Sequence, residues 1–567
     1  MARASRDVEI INPGALEPEF AQCLRELEKG DVVRRIWARD GTVWKGDEKE
    51  ISRRLGWLDA PSTAAAVAPD MEAFAAAARA EGLTRAVVLG MGGSSLAPEV
   101  FARMFFTAPG GLDLDVLDTT EPGAVAAAAA RLDLRHTLFL VSSKSGSTAE
   151  MVALLSFFYD RARRELGEDR AGDHFVAITD PGSPLEGLAG SMRFRRTFHG
   201  RADIGGRFSA LSAFGLLPAA LKGLDLDRLL APAGRMAEAC RAGSPSANPG
   251  ALLGAALGAA ARLGRDKLTF IAPPPLDLLA GWLEQLIAES TGKEGRGIVP
   301  LIESLPLKAG SGERERLFVD LLSSLDVPAP EGIQDLIDGG APLVRSALAD
   351  PSMLGGCFFL WEFATAVAGH LLRINPFDQP DVESTKKKTR EVLAAEGNSA
   401  VPFDPGSAPA PGGIRIVGMG SPADQAAALS RFLAARRDGD YLAVLAFLPK
   451  NAAVDERLAA LQARLRAATR LPVAVAFGPR YLHSTGQLHK GDANRGLFLM
   501  LVASGLPEVV IPEVAGITRP APDFASLFLA QARGDAMALA EKGRRILTVE
   551  MASPVEAGIA VLASLLG

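Results

Sequence analysis

The rhythm of apolar and polar positions changes at about residue 65. Before it, "ELEKGDVVRRIWARD" and "ISRRLGWLD" carry apolar residues at helical spacing, which predicts a polar, helical N-terminal segment over 1–65. After it, β-rich runs alternate with amphipathic ones. "RAVVLG" precedes "MGGSSLAPEVFARMF", "LDLDVLD" precedes "EPGAVAAAAARL", "HTLFLVSS" precedes "STAEMVALLSFFYDRA", and "HFVAITD" precedes "PGSPLEGLAG". Strands alternating with helices predict a doubly wound parallel sheet, because each parallel crossover needs a covering helix. A second such region starts near residue 250, with "KLTFIAP", "IRIVG", "YLAVLAFLP", "LPVAVAFG" and "EVVIP" as its strands. The predicted class is α/β: two doubly wound parallel-sheet domains, 66–235 and 236–567, with helices on both faces. A Pro/Gly-rich linker falls near 395–413.

Composition narrows this picture. A chain of 567 residues exceeds one compact core. With 48% hydrophobic and 23% charged residues it reads as globular rather than disordered. A net charge of -6 offers no basic surplus for nucleic acid or anionic membrane. Cys23, Cys240 and Cys357 are isolated and show neither a disulfide framework nor metal-ligand spacing. Asp7 and Glu9 sit where a secretory leader would be apolar, and "MLGGCFFLWEFATAVAGHLL" contains Glu362, so it reads as a buried helix. The expectation is a cytoplasmic protein with neither a membrane nor a nucleic-acid partner.

Two loops at predicted strand ends could hold an anion. In "SSKSGSTAE", Ser142, Ser143, Ser145, Ser147 and Thr148 surround Lys144, Gly146 permits close backbone approach, and a helix follows. Alone, it reads equally well as a Ser-rich turn with an N-cap. The companion loop "GMGGSSLAP", with Gly93, Ser94 and Ser95, also opens a helix, and together they suit a small phosphorylated ligand better than a dinucleotide. Glu289 closes the helix "LDLLAGWLEQLIAES". A carboxylate at that end meets the negative dipole, which suits a general base if it is not simply a surface glutamate. Arg207, after paired glycines, is either a loop salt bridge or a clamp on an anionic intermediate. Lys386 begins a basic run that could be only a solvated face. His370 lies on an apolar helix and reads as structural, whereas His483 and His489, in "YLHSTGQLHKG", are acid/base candidates. No metal is called for.

These motifs converge on one family. "GMGGSSLAP", "SSKSGSTAE", "GGRFSALSAFGL", "ESTGKEGRGIVP", "NPFDQPDVESTK" and "LHSTGQLHKG" together resemble glucose-6-phosphate isomerase, a family built from two sugar-isomerase (SIS) domains. "RIWARDGTVWKGDEKEISRRLGWL" is similar to the isomerase portion of bacterial transaldolase–isomerase fusions. The resemblance implies reversible isomerisation of glucose 6-phosphate and fructose 6-phosphate through a cis-enediolate, without cofactor or metal. Glu289 would move the proton between C2 and C1, Arg207 would stabilise the enediolate, and His483 with Lys386 would open the ring. Ser143, Lys144, Ser145, Ser147 and Thr148 would hold the phosphate, with Gly93, Ser94 and Gln379 at the sugar. The resemblance also allows a homodimer that shares the histidine and a functional link to a transaldolase. The alternatives are another SIS phosphosugar isomerase, one accepting mannose 6-phosphate included, or a non-catalytic sugar-phosphate sensor. One departure stands out: the family places the histidine loop between the glutamate and lysine motifs, whereas here the order is Glu289, Lys386, His483.

Overall fold

The computed structural model describes residues 3–4, 8–303, 313–322, 331–348, 350–395, 409–419 and 421–566. The expected α/β class holds, with mainly parallel sheets among helices. The first sheet lies in the order Asp113–Leu117, Arg85–Gly90, Thr137–Ser142, Phe175–Thr179, Arg196–His199, all parallel. Counted along the chain, that is second, first, third, fourth, fifth. Its alternating side chains feed separate cores. Val88, Leu138 and Leu140 pack with the helices Leu96–Met104 and Ala213–Leu221, while Leu89, Phe139 and Val141 pack with Ala149–Leu166.

The pattern of residues predicts two sheets; the chain builds three. In the second, Val299–Glu303, Lys267–Ile271, Arg316–Leu322 and Leu343–Ala347 run parallel, again in the order second, first, third, fourth. In the third, Val473–Phe477, Tyr441–Phe447, Gly496–Ser504 and Arg545–Ala552 repeat that order, with Ile414–Ile416 antiparallel at the edge. Gly496–Ser504, a strand the pattern does not predict, is a continuous apolar run whose burial on both faces erases the alternation that would mark it.

The N-terminal segment is mainly helical, as expected, through Glu17–Lys29, Val32–Trp37 and Glu48–Ser52, and the helix Ala60–Ala80 runs on past residue 65. It also contributes a strand, Val8–Asn12, antiparallel to Leu343–Ala347 on the second sheet, with Val8 and Ile10 buried on one face. The predicted strand at 508–512 does not form. Pro507 and Pro512 bracket it, and Val510 makes an isolated bridge to Asp523 and is half exposed. Most of the expected linker, residues 396–408, lies outside the described residues.

Among the described residues one helix, Pro351–Leu372, is long and apolar enough to cross a membrane, and 89% of its most apolar window is buried inside the protein. It packs against Leu226–Ala239, Pro249–Arg262 and Leu276–Thr291.

Candidate active site

The first sheet reverses its strand order between Arg85–Gly90 and Thr137–Ser142, and the chain leaves those two ends toward opposite faces. A crevice at such a switch point, outside the carboxyl ends of the strands, is where open parallel sheets bind ligands. Both anion-loop candidates are there. After Ser142, Ser143 Oγ lies 3.1 Å from Thr148 Oγ1 and accepts from the Gly146 N–H, and Ser147 Oγ donates to Ser145 Oγ at 3.3 Å. The helix Ala149–Leu166 begins without a side-chain cap. Its first-turn N–H groups are therefore not claimed by a capping side chain, which disfavours the simple capped turn and favours an anion seat. Lys144 points elsewhere: its ammonium pairs with Asp180 and donates to the Arg201 carbonyl at 3.0 Å.

The companion loop is drawn in tightly. A side chain at Gly93 would begin 2.1 Å from the Gly206 carbonyl oxygen, and one at Gly92 would begin 2.8 Å from Gln285 Nε2 and 3.0 Å from the His483 carbonyl. Only glycine admits that approach, so the loops at 90–95, 205–207 and 483 meet at one point. Ser94 is buried beside it.

Arg207 and Glu289 sit at the centre, 3% and 5% exposed. Arg207 Nη1 is 3.3 Å from Glu289 Oε1 and donates to Gln379 Oε1 at 2.9 Å. Its Nε donates to Ser290 Oγ at 2.8 Å, and Nη2 to the carbonyls of Pro376 and Asp378, each at 2.7 Å. Arg207 does form a salt bridge, as one of its two sequence readings has it, and the bridge is to Glu289 inside the protein. Glu289 does end its helix, Leu276–Thr291, but it is buried, not on the surface. The sequence sets only the helix dipole against it; the fold adds a guanidinium. Gln285, one turn earlier, donates through Nε2 to Glu289 Oε2 at 3.0 Å and to the His483 carbonyl at 2.7 Å.

His483 reaches this centre from the third sheet, on the turn Arg480–His483 that follows Val473–Phe477. Its Nε2 lies 2.7 Å from Oε1 of Glu150, in the first turn of the helix behind the hydroxyl loop. Burial disfavours the imidazolium, but the Glu150 carboxylate outweighs it and holds His483 above its ordinary value. Glu150 is itself lowered: burial opposes its charge and His483 overrides that. Gln531 Nε2 donates to the same oxygen at 2.6 Å. Lys386 stands at the rim, on the helix Val382–Ala395, half exposed and paired with Glu383 at 2.8 Å, close enough for its charge to oppose protonation of His483.

His489 does not join them. It is buried among the rings of Tyr441, Tyr481 and Phe498, and burial presses it well below its ordinary value, so it is a neutral packing residue. His370 bonds the Val43 carbonyl through Nδ1 at 2.6 Å, as a structural histidine would.

Sequence reasoning missed Glu150, Gln285 and Lys293. Burial first, then the charge of Arg207, brings Lys293 down to about 8, while Asp378 holds it with Oδ1 2.7 Å away. The signal for Gln285 was present in its spacing of four from Glu289 on one helix. Glu150 ends the motif "SSKSGSTAE", but its partner is 333 positions downstream, so the motif does not announce the pairing.

Residues 72–297 match the family model described as phosphoglucose isomerase. Among curated proteins, the glucose-6-phosphate isomerase of Thermosynechococcus vestitus is 30% identical over 436 residues, covering 67% of this chain and 81% of the relative. That of Symbiobacterium thermophilum is 31% identical over 404 residues, covering 61% and 88%. Among solved structures, a hypothetical protein from Thermus thermophilus superposes with a TM-score of 0.57 at 27% identity, over 70% of this chain and all of its own. A glucose-6-phosphate isomerase from Chlamydia trachomatis gives 0.55 at 18%, over 70% and 90%, a likeness of fold.

Proposed function

Because the chain belongs to the glucose-6-phosphate isomerase family, we propose that it interconverts glucose 6-phosphate and fructose 6-phosphate by moving a proton between C2 and C1. The observation that carries this reading is the meeting of a buried carboxylate, a guanidinium and a carboxylate-held histidine beside an uncapped, hydroxyl-rich helix start. A sensor of sugar phosphates would need only the last of these.

The substrate phosphate sits on the hydroxyls of Ser143, Ser145, Ser147 and Thr148 and on the first-turn N–H groups, with Lys144 joining by exchanging Asp180 for the phosphate. Anchoring there holds the sugar carbons against Glu289, replacing a bimolecular encounter with a fixed geometry. His483, charged through Glu150, donates to the ring oxygen as the ring opens, and Lys386 at the rim shares that step. Glu289 then takes the C2 proton and returns it to C1. Charge develops on the enediolate oxygens, and the Nη1 edge of Arg207, already facing Glu289 and Gln379, is preorganised to receive it. Gly93 and Ser94 close the sugar's other side.

The test is conversion of fructose 6-phosphate to glucose 6-phosphate, read through an added dehydrogenase, for wild type and Glu289→Gln. Wild type should turn over, and the variant should lose about a hundredfold or more in kcat. Equal rates would remove Glu289 as the base, and a wild type that binds without turnover would favour the sensor.

A further inference from the structure

A second charged cluster lies behind the histidine turn. Arg480 opens that turn, and its guanidinium pairs through Nη2 with Glu99 and through Nη1 with Asp118 Oδ2 at 3.2 Å. Glu99 is on the helix that continues from the Gly90 loop, and Asp118 follows the strand Asp113–Leu117, so both belong to the first sheet. At the other end of the turn, Ser484 Oγ donates to Glu284 Oε1 at 3.3 Å. Glu284 precedes Gln285, the residue whose amide touches both Glu289 and the His483 carbonyl. The turn is thus held across the gap at both ends, with His483 between.

The segment is tied to its own side by different groups. Tyr481 Oη donates to Asp535 at 2.6 Å and Lys490 pairs with the same carboxylate at 2.5 Å. Those bonds fix the fold of the segment. Asp535 shares the helix Phe524–Glu541 with Gln531, which donates to Glu150, so these bonds reach Glu150 only through that helix. Arg480 adds a direct tie to the first sheet: its guanidinium donates to Glu99 and lies 3.2 Å from Asp118 Oδ2, an ion pair without a hydrogen bond.

We propose that Arg480 is a positioning residue that seats the third sheet's histidine turn against the first sheet and thereby sets the His483–Glu150 contact. The kinetic half of this inference rests on the ring-opening role given to His483 above. Arg480 borders an open polar cleft together with Glu99, Glu284, Lys450 and Ser484, so truncating it admits solvent and leaves no core void. The bonds to Asp535 remain in the variant.

The readout is the imidazole of His483, followed by NMR and assigned with His483→Gln. The charged groups that face it are Glu150 on Ala149–Leu166, Lys386 on Val382–Ala395 and Glu289 on Leu276–Thr291. Deleting a cation would by itself raise the imidazole, whereas losing the Glu150 contact lowers it, so the sign discriminates. In Arg480→Ala the titration midpoint should fall toward the ordinary value of about 6.5. Arg480→Lys should lie between. In parallel, Arg480→Ala should reduce kcat about tenfold. Its affinity for a linear phosphorylated aldonate, which needs no ring opening, should stay within about twofold of wild type. Added to His483→Ala, it should cost less than about twofold. An unmoved or raised midpoint overturns the positioning role, as does an equal loss of kcat with and without His483. A lowered midpoint alongside full turnover of His483→Ala would leave Arg480 in place and remove the ring-opening role of His483 instead.

Discussion

Glu150 shows how one residue acquires a task that its neighbours do not announce. It lies in the hydroxyl motif, yet its carboxylate is turned to His483 and Gln531, both brought in from the third sheet's side of the molecule. The pair sets the sign of a pH effect. With Glu150 present, His483 keeps its proton to higher pH than a free imidazole. In Glu150→Gln that support disappears, so the alkaline limb of kcat should move to lower pH and kcat should fall about tenfold to a hundredfold, less than the roughly hundredfold or more for removing an acid outright. A pH–rate profile of the two proteins checks this, and superimposable limbs would separate the carboxylate from the chemistry. At this scale, legibility followed locality. Glu289 and Arg207 stand out because their motifs carry their own helix end and glycine turn. Their surroundings, Gln379 and Ser290 on the guanidinium, like Glu150 on the imidazole of His483, are set by folding across distant parts of the chain.

Among elements, the apolar helix Leu354–Leu371 carries an unusual burden. Glu362 lies within it at 0% exposure, with neither carboxylate oxygen hydrogen bonded, and burial raises it well above the ordinary range. A carboxyl raised in this way is neutral in the folded chain. Stability is therefore complete below the unfolded value of about 4.3 and declines as pH rises toward the folded one, by at most about 1.4 kcal/mol per pH unit. Glu362→Gln removes that slope. Its denaturation midpoint should match wild type near pH 4 and exceed it by a margin that widens as pH rises; a constant gap would mean that Glu362 is charged or partnered in solution. The elements themselves were legible where a strand was short and flanked by turns, as with Arg85–Gly90 and Thr137–Ser142. They were not where proline intervened, as at 508–512, or where both faces were buried, as in Gly496–Ser504.

Taken whole, the molecule winds one strand order three times and spends the resulting edges unequally. The first sheet supplies the proposed anion seat, the second follows its first strand with the helix of Glu289, and the third sends in His483. His483 meets Glu150 and, through Gln285, Glu289 of its own chain, whereas the family resemblance would share it between subunits. Specific activity should therefore stay constant on dilution through any dissociation of an oligomer, measured by stopped assay beside light scattering; a fall that tracks dissociation would show that a second chain completes the site. The displaced order of Glu289, Lys386 and His483 was visible in the sequence, but that it still closes on one point could not be read there, because the closure depends on pairs such as Arg480 with Glu99 and Asp118. For a lineage, this arrangement has a use. The groups proposed for ring opening and for proton transfer arrive on separate pieces of the chain, so a change in one piece need not disturb the other. What inheritance has to preserve is the meeting place, and the order of arrival along the gene is free to change.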